Sequence, residues 1–312
     1  MYPLFFEPSR ALEPNTSKTK GLNALRIERL VELHNHNRDG CVPLGIISLE
    51  NKIILCAFIR ACADESLDTI LPIGQDQHSI RFSPSKKYSY KLINKLFQER
   101  LICIDSTNAT SSGIRVNEEG TPLFPVESTI FSINISDNDG TKLSLKVLAE
   151  ILEESLLVVR KNESKKIEEL WKELALQEAQ QYLAFVLSER DFPFNPGEKT
   201  KNILRQVLTR YSTSQSFYFI YSAAKNASDF YQSKGVPKSH AANTVPGKIQ
   251  TLFDRSVSES WKVSKYKRNY KACPPSALSN VLYDKVLGLS PLGIDYVPGS
   301  VLPVAMEENV SE

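Results

Sequence analysis

Helical spacing of apolar residues between positions 141 and 289 constrains the fold of this chain more than any other feature. In the longest stretch, 163–190, aliphatic residues such as Ile167, Leu170 and Leu174 fall three, four and seven positions apart. That spacing places them on one face of a helix, which must then be buried against other elements. The sequence therefore predicts a helical domain over 141–290.

Residues 23–140 follow a different pattern, in which helices lead into strands. Ser83 and Pro84 form a helix start, because serine caps and proline suits the first turn. The short apolar run 101–104 and the alternating run 129–135 read as strands joined by a polar loop. A helix followed by two strands is the order of a winged-helix module. We therefore predict an α+β, mainly α, fold with a winged-helix-like module over 23–140.

Capping and turn residues predict where several helices begin and end. Ser48 is expected to cap a helix that carries Ile53 and Phe58, while Asn195 and Ser214 are expected to cap two later ones. Gly235 should close the helix that begins at Ser214. Pro237 should open the next helix, and Pro246-Gly247 should break or kink it.

Composition restricts the setting in which the protein works. The 312 residues include 41% apolar residues, sufficient for a core, and carry a net charge of only +2. No run approaches the roughly 20 apolar residues that cross a bilayer, and the five irregularly spaced cysteines do not suggest a disulfide framework. We expect a cytoplasmic protein without membrane contact. Residues 1–22 read as an irregular arm and 291–312 as a flexible acidic tail.

A concentration of positive charge between 225 and 275 is the most suggestive functional feature. Ten basic and three acidic residues give this stretch a net charge of +7 in a chain whose total is +2. Lysines can bind phosphates, and aromatic residues between them can stack on unpaired bases. The predicted nucleic-acid-binding residues are Lys238, His240, Trp261, Lys262, Lys265, Tyr266, Lys267, Arg268 and Lys271.

Two competing interpretations apply to this half of the chain. The basic run is also compatible with a solvated loop whose rings pack inward while its lysines face water. The aromatic helix 214–233, with Phe217, Tyr218, Phe219 and Tyr221, could offer a platform for a planar ligand, but a buried helix is the more economical interpretation.

Enzymatic alternatives rest on histidines. Arg29 and His34 have the R-x4-H spacing of one family of helical ribonucleases, and His240 could serve as a general base. No paired C-x-x-C motif accompanies His34, His36 and Cys41, so neither a zinc site nor another cofactor is expected. A metal-independent ribonuclease using His34 or His240 remains the enzyme alternative.

The segment 165–290 also resembles the C-terminal half of certain uncharacterised bacterial proteins, to which no activity is attached. The residues that carry the resemblance are Trp171, Phe194, Pro196, Gly197, Tyr218, Ala224, Phe230, Tyr231, Lys238, His240, Ala241, Ala242, Asn243, Gly247 and Cys273. This resemblance implies a bacterial cytoplasmic protein and assigns no role to any residue.

The leading hypothesis from the sequence is a non-enzymatic nucleic-acid-binding or regulatory protein in a mobile-element or phage-defence setting, with DNA favoured over RNA. A protein–protein interaction module is the third alternative. The hypotheses separate on salt dependence, because phosphate binding weakens steeply as salt rises.

Overall fold

The fold is described by a computed structural model that covers residues 17–36, 40–74, 80–108, 113–117, 122–157, 159–290, 292–301 and 306–307. Within these ranges the chain is mainly helical with short strands, as the mainly α prediction expects. The predicted arm largely falls outside the described residues, although its last six positions, 17–22, already belong to the first helix.

Helices and short strands alternate in the first half of the chain. The elements are α1 (Ser17–His36), β1 (Val42–Pro43), α2 (Leu49–Cys62), α3 (Lys86–Gln98), β2 (Ile102–Ile104), β3 (Arg115–Val116), β4 (Pro122–Leu123), β5 (Phe131–Ile133) and β6 (Ile135–Ser136). Ser48 caps α2 as predicted, since its side chain accepts a hydrogen bond from the Asn51 amide. The cap of α3 is Ser85 rather than Ser83, because the Ser85 hydroxyl accepts the Tyr88 amide.

The strands pair two by two. β2 and β5 are antiparallel, with Ile102 opposite Ile133, and the antiparallel pair β3–β4 lies between them in sequence. β1 pairs with β6 in parallel. The two predicted strands are therefore present and follow α3 in the expected order. The arrangement of a winged helix remains a prediction.

The second half is built from long helices. Its elements are α4 (Leu145–Ser155), β7 (Val159–Arg160), α5 (Ser164–Ser188), α6 (Glu198–Leu208), α7 (Thr213–Lys234), α8 (Lys238–Ser258), α9 (Ala277–Asn280), a π-helical turn (Val281–Val286) and β8 (Met306–Glu307). α5 packs against α6 and α7, and α7 packs along α8. β7 pairs in parallel with β8, so two residues of the predicted flexible tail belong to a strand.

Helix ends in this half correct several predictions. Gly197, not Asn195, precedes α6, and Ser212, not Ser214, caps α7 in a reciprocal pair with Gln215. Gly235 closes α7 in the left-handed conformation, as expected. α8 begins after Pro237 and continues through Pro246 without a break.

A single buried cluster runs through both halves of the described chain. The segment around α9 joins them, since the amides of Ala277 and Leu278 donate to the carbonyls of Arg81 and Phe82. On the π-helical turn, Lys285 pairs with Glu153 of α4. The segment that follows α8 is therefore tied at its far end to the N-terminal half.

Candidate functional site

The predicted basic run, residues 261–271 and hereafter the basic segment, lies across the start of α7. The Tyr266 amide donates to the Ser214 carbonyl at 2.9 Å, and the Gln215 side-chain amide donates to the Val263 carbonyl at 3.1 Å. Val263 is buried between these contacts. The segment has no regular secondary structure from 261 to 269, and these contacts with α7 hold its backbone in place.

Arg268 corrects the predicted set of phosphate-binding residues. Its side chain is 4% exposed and forms an ion pair with Glu178, whose side chain in the middle of α5 is fully buried. A guanidinium in this position cannot reach a phosphate at the surface, so the prediction for Arg268 is wrong. No local pattern in the sequence indicates this partner, which lies 90 positions away.

Glu178 accepts two further hydrogen bonds, from Ser279 and Tyr283. Together with Arg268, these residues form what we call the Glu178 network. Ser279 Oγ donates to Oε1 at 2.9 Å, and Tyr283 Oη donates to Oε2 at 2.8 Å. Burial raises the pKa of Tyr283 well above its usual value, and the Glu178 carboxylate adds to the effect. Burial alone would lower the pKa of Arg268, but the attraction of Glu178 outweighs it and the pKa is raised. The network thus neutralises one of the five basic side chains of the segment inside the protein.

The other four, Lys262, Lys265, Lys267 and Lys271, are exposed. No ion pair links any of them to a carboxylate of the described part of the chain. Lys265 Nζ lies 6.0 Å from the ring centroid of Tyr296. Four uncompensated positive charges therefore lie along one fixed segment.

A tyrosine cluster, formed by Tyr218, Tyr221 and Tyr266, adjoins these lysines. The Tyr266 ring packs edge-on against Tyr218 at 5.6 Å and lies 5.7 Å from Tyr221. Arg190, which follows α5, places its guanidinium 5.2 Å from the Tyr221 ring centroid. Burial, followed by the two neighbouring tyrosines, raises the pKa of Tyr266. Rings and cations from three separate parts of the sequence thus meet at one surface.

The rest of the predicted aromatic platform is mostly core. Phe217 and Phe219 are buried, and Phe217 stacks on Tyr182 at 4.2 Å. Tyr218 and Tyr221 lie on a more exposed face of α7, and Tyr221 is 39% exposed. Helical spacing could have separated these two groups, but it could not have shown that Tyr266 and Arg190 cover the outer one.

Two aromatic residues of the basic segment differ from what the sequence predicts. Trp261 was predicted to stack on bases, but its indole N–H donates to Glu259 at 2.7 Å and Arg255 lies 5.1 Å from its ring centroid. Tyr270, which the prediction omitted, is 60% exposed. Tyr270 lies in a turn in which the Asn269 side-chain oxygen accepts the Lys271 amide at 3.1 Å.

Lys238 and His240 lie at the other end of α7, away from the basic segment. The helix rises roughly 30 Å between Ser214 and Gly235, at about 1.5 Å per residue. Lys238 Nζ lies 3.5 Å from an Asp191 carboxylate oxygen. An open cleft of about 490 Å³ adjoins this turn and is lined by Tyr231, Gln232, Gly235, Val236, Pro237 and Lys238. The structure therefore does not bring Lys238 and His240 together with the lysines of 262–271.

The residues of the enzyme alternative are Arg29 with His34, and His240, and each contacts groups other than those that catalysis would require. His34 stacks on Phe97 at 6.2 Å, whereas Arg29 pairs with Glu32 at 3.1 Å. Positions five apart are also about 140° apart around a helix, which turns Arg29 and His34 to different faces. The His240 ring lies 5.8 Å from Phe230, and no hydrogen bond joins it to a carboxylate of the described chain.

The described residues offer neither a metal site nor a membrane-spanning helix. Within the described ranges, no three His, Cys, Asp or Glu side chains gather closely enough to hold a metal ion. Of the helices described above, none combines the length and apolar character needed to cross a bilayer. Comparison with known proteins gives no match to a family model, to a curated protein or to a solved structure. A function for this protein is therefore inferred from the geometry of the basic segment.

Proposed function

We propose that the basic segment and the tyrosine cluster bind single-stranded nucleic acid without catalysis. The observation that carries this proposal is the row of four exposed, uncompensated lysines beside the rings of the tyrosine cluster. Lysines bind phosphates and release counterions, while tyrosine rings stack on bases that no second strand covers. Tyr270 is the ring best placed for stacking because most of its surface is exposed.

The fixed backbone of the segment supports the same proposal. Binding to a flexible loop would have to order the loop first, and each immobilised long side chain already costs about 0.5–1.5 kcal/mol. Here the hydrogen bonds to Ser214 and Gln215 and the buried Arg268 order the backbone in advance. Only the lysine side chains remain to be ordered when the strand binds.

A second surface, on α3, has weaker support. In a winged-helix protein a helix in this position would enter the major groove of DNA. However, Lys86 pairs with Glu127 at 3.2 Å and Lys95 with Glu50 at 2.5 Å. Because carboxylates already compensate part of the charge on α3, we place the binding site at the basic segment.

Fluorescence anisotropy with labelled oligothymidylate and oligouridylate at several salt concentrations would test the proposal. Affinity for the wild-type protein should fall steeply with salt and should exceed that for a duplex of equal length. Since each lost single-strand phosphate contact lowers the slope of log K against log[salt] by about 0.7, the Lys262→Ala/Lys265→Ala/Lys267→Ala variant should flatten it by about 2.

The matched control is Lys234→Ala/Lys238→Ala/Lys248→Ala, which removes the same charge near the other end of α7. It should bind like the wild-type protein. Equal losses in the two variants, or no binding by the wild-type protein, would contradict the proposal. DNA is the expected ligand ahead of RNA, and the two oligonucleotides compare them directly.

A further inference from the structure

We infer that the buried Glu178–Arg268 pair is a positioning device that holds the basic segment in its binding conformation. This inference rests on the proposed function of the segment. Arg268 is the only one of its basic side chains that points inward within the described residues. Its guanidinium fixes the backbone between Lys267 and Tyr270, which places a lysine and the exposed ring on either side of the buried contact.

Stability alone does not account for a charged pair at this position. Both charges lose their hydration on burial, and apolar residues of similar volume are often as stabilising as a buried ion pair. What an ion pair supplies in addition is direction, because a guanidinium binds a carboxylate in a restricted geometry. That direction sets the position of residue 268 relative to α5.

The surroundings of Glu178 restrict its carboxylate in the same way. The π-helical turn carries Tyr283, whose hydroxyl donates to the second carboxylate oxygen at 2.8 Å. Gly293 packs so closely on the Tyr283 ring that an added Cβ would overlap it. Ser279 donates to the first oxygen at 2.9 Å. The carboxylate therefore has little freedom, and neither has the arginine that it binds.

Cys273 offers a readout of the segment that does not depend on a ligand. Its amide donates to the Asn269 carbonyl at 2.7 Å, and its side chain is buried. Burial raises the pKa of its thiol, which slows alkylation since the thiolate is the reacting form. Cys62 of α2 is a control within the same molecule, because burial raises the pKa of its thiol to about 12 far from the segment in sequence.

The decisive variant is Glu178→Gln/Arg268→Met, which removes both charges and keeps a side chain of the same size at 178. The amide oxygen can accept from one of the hydroxyls of Ser279 and Tyr283, and the amide N–H can donate to the other. The matched control, Glu153→Gln/Lys285→Met, removes the two charges of a partly exposed ion pair on the same π-helical turn, and it also ends the ion pair between Glu153 and Arg60. Each protein would be measured by thermal unfolding, by alkylation of the native state with iodoacetamide and peptide mass spectrometry, and by binding to oligothymidylate.

In the decisive variant we expect Cys273 to react at least about tenfold faster and affinity to fall about tenfold, since the backbone of the segment must then be ordered on binding in addition to the lysine side chains. Cys62 should stay protected, and the control variant should match the wild-type protein in both measurements. Faster alkylation of Cys273 with unchanged affinity would overturn the inference and leave the proposed function standing. Unchanged alkylation and affinity would overturn it too. If the wild-type protein does not bind, both proposals fail.

Tyr283→Phe is a milder variant for the case in which the double variant unfolds, as simultaneous reactivity of Cys62 would reveal. It removes one hydrogen bond to Glu178 and keeps the ring. The inference requires Cys273 reactivity to rise and affinity to fall together, by less than in the double variant. If neither changes in folded Tyr283→Phe, the inference is overturned.

Discussion

The basic segment and the turn between α7 and α8 have similar compositions but different electrostatic arrangements. Both combine lysines with aromatic rings within a few residues of sequence. At the turn, Lys238 lies near Asp191, and Lys248 lies 5.7 Å from the Phe230 ring centroid. In the basic segment, a glutamate of the core neutralises Arg268, and the four lysines have no carboxylate partner among the described residues.

The basic segment presents a charged surface because contacts other than those of its lysines fix its backbone. Arg268, Val263 and the hydrogen bonds to α7 fix the segment, so the lysines need not pair with neighbours to order it. At the turn, the cations remain close to groups of adjacent elements. The net charge of +7 over 225–275 is therefore the sum of two surfaces that differ in how far their cations are paired.

Removing one acidic partner in each region should change the free energy of unfolding by very different amounts. Glu178→Ala leaves Arg268 buried without a partner and should lower the free energy of unfolding by about 3–5 kcal/mol. Asp191→Asn removes the exposed charge that pairs with Lys238 and keeps a residue type that tolerates the φ of +50° at this position. It should leave the free energy of unfolding unchanged within error, since exposed ion pairs contribute little. Urea unfolding followed by circular dichroism would measure both. Equal effects would remove the distinction between a buried and a surface charge.

Stacking provides the next largest effect and tests which aromatic residue serves the site. Tyr270→Leu should weaken oligothymidylate binding by about 1–3 kcal/mol, the usual contribution of one ring to stacking on a base. Trp261→Leu should change it little, because Arg255 and Glu259 already occupy the indole. Fluorescence anisotropy at fixed salt measures both. A larger loss for Trp261→Leu would restore the prediction made from sequence.

Local signals in the sequence were sufficient for many helix positions. Ser48 and Gly235 have the roles that capping rules assign, because the groups that decide them lie within one turn. The caps predicted at Ser83, Asn195 and Ser214 each lie two residues from the observed cap, since several residues near a helix start can cap it. Lysines face water wherever a segment lies at the surface.

Contacts between distant residues were not predictable in this way. The charge of Arg268 suggested a phosphate contact, but its outcome depends on Glu178 in another helix. Likewise, nothing local indicates that Tyr266 would meet Tyr221 and Arg190. Nor does any local pattern indicate that the turn that presents Tyr283 is π-helical. One sequence contains no record of such pairings, which arise only from the packing of the whole chain.

Two glycines on the side of the turn should change stability in opposite directions without affecting binding. Gly235 has a φ of +61°, so Gly235→Ala should lower the free energy of unfolding by about 1 kcal/mol. Gly247 lies inside α8 with open space around its Cβ position, so Gly247→Ala should raise it by about 0.5–1 kcal/mol. Thermal unfolding and anisotropy would test both. Altered affinity in either variant would extend the binding surface to the turn.

The smallest expected effect concerns Lys238 and His240, which the sequence placed with the binding residues. Lys238→Ala and His240→Ala should each change oligonucleotide affinity by less than about twofold, because α7 separates them from the basic segment by roughly 30 Å.

Incubation of these variants and His34→Ala with labelled RNA would also test the ribonuclease alternative. We expect intact RNA with the wild-type protein and with all three variants. RNA cleavage by the wild-type protein that His240→Ala abolishes would make the turn the functional region and reverse the comparison between the two surfaces.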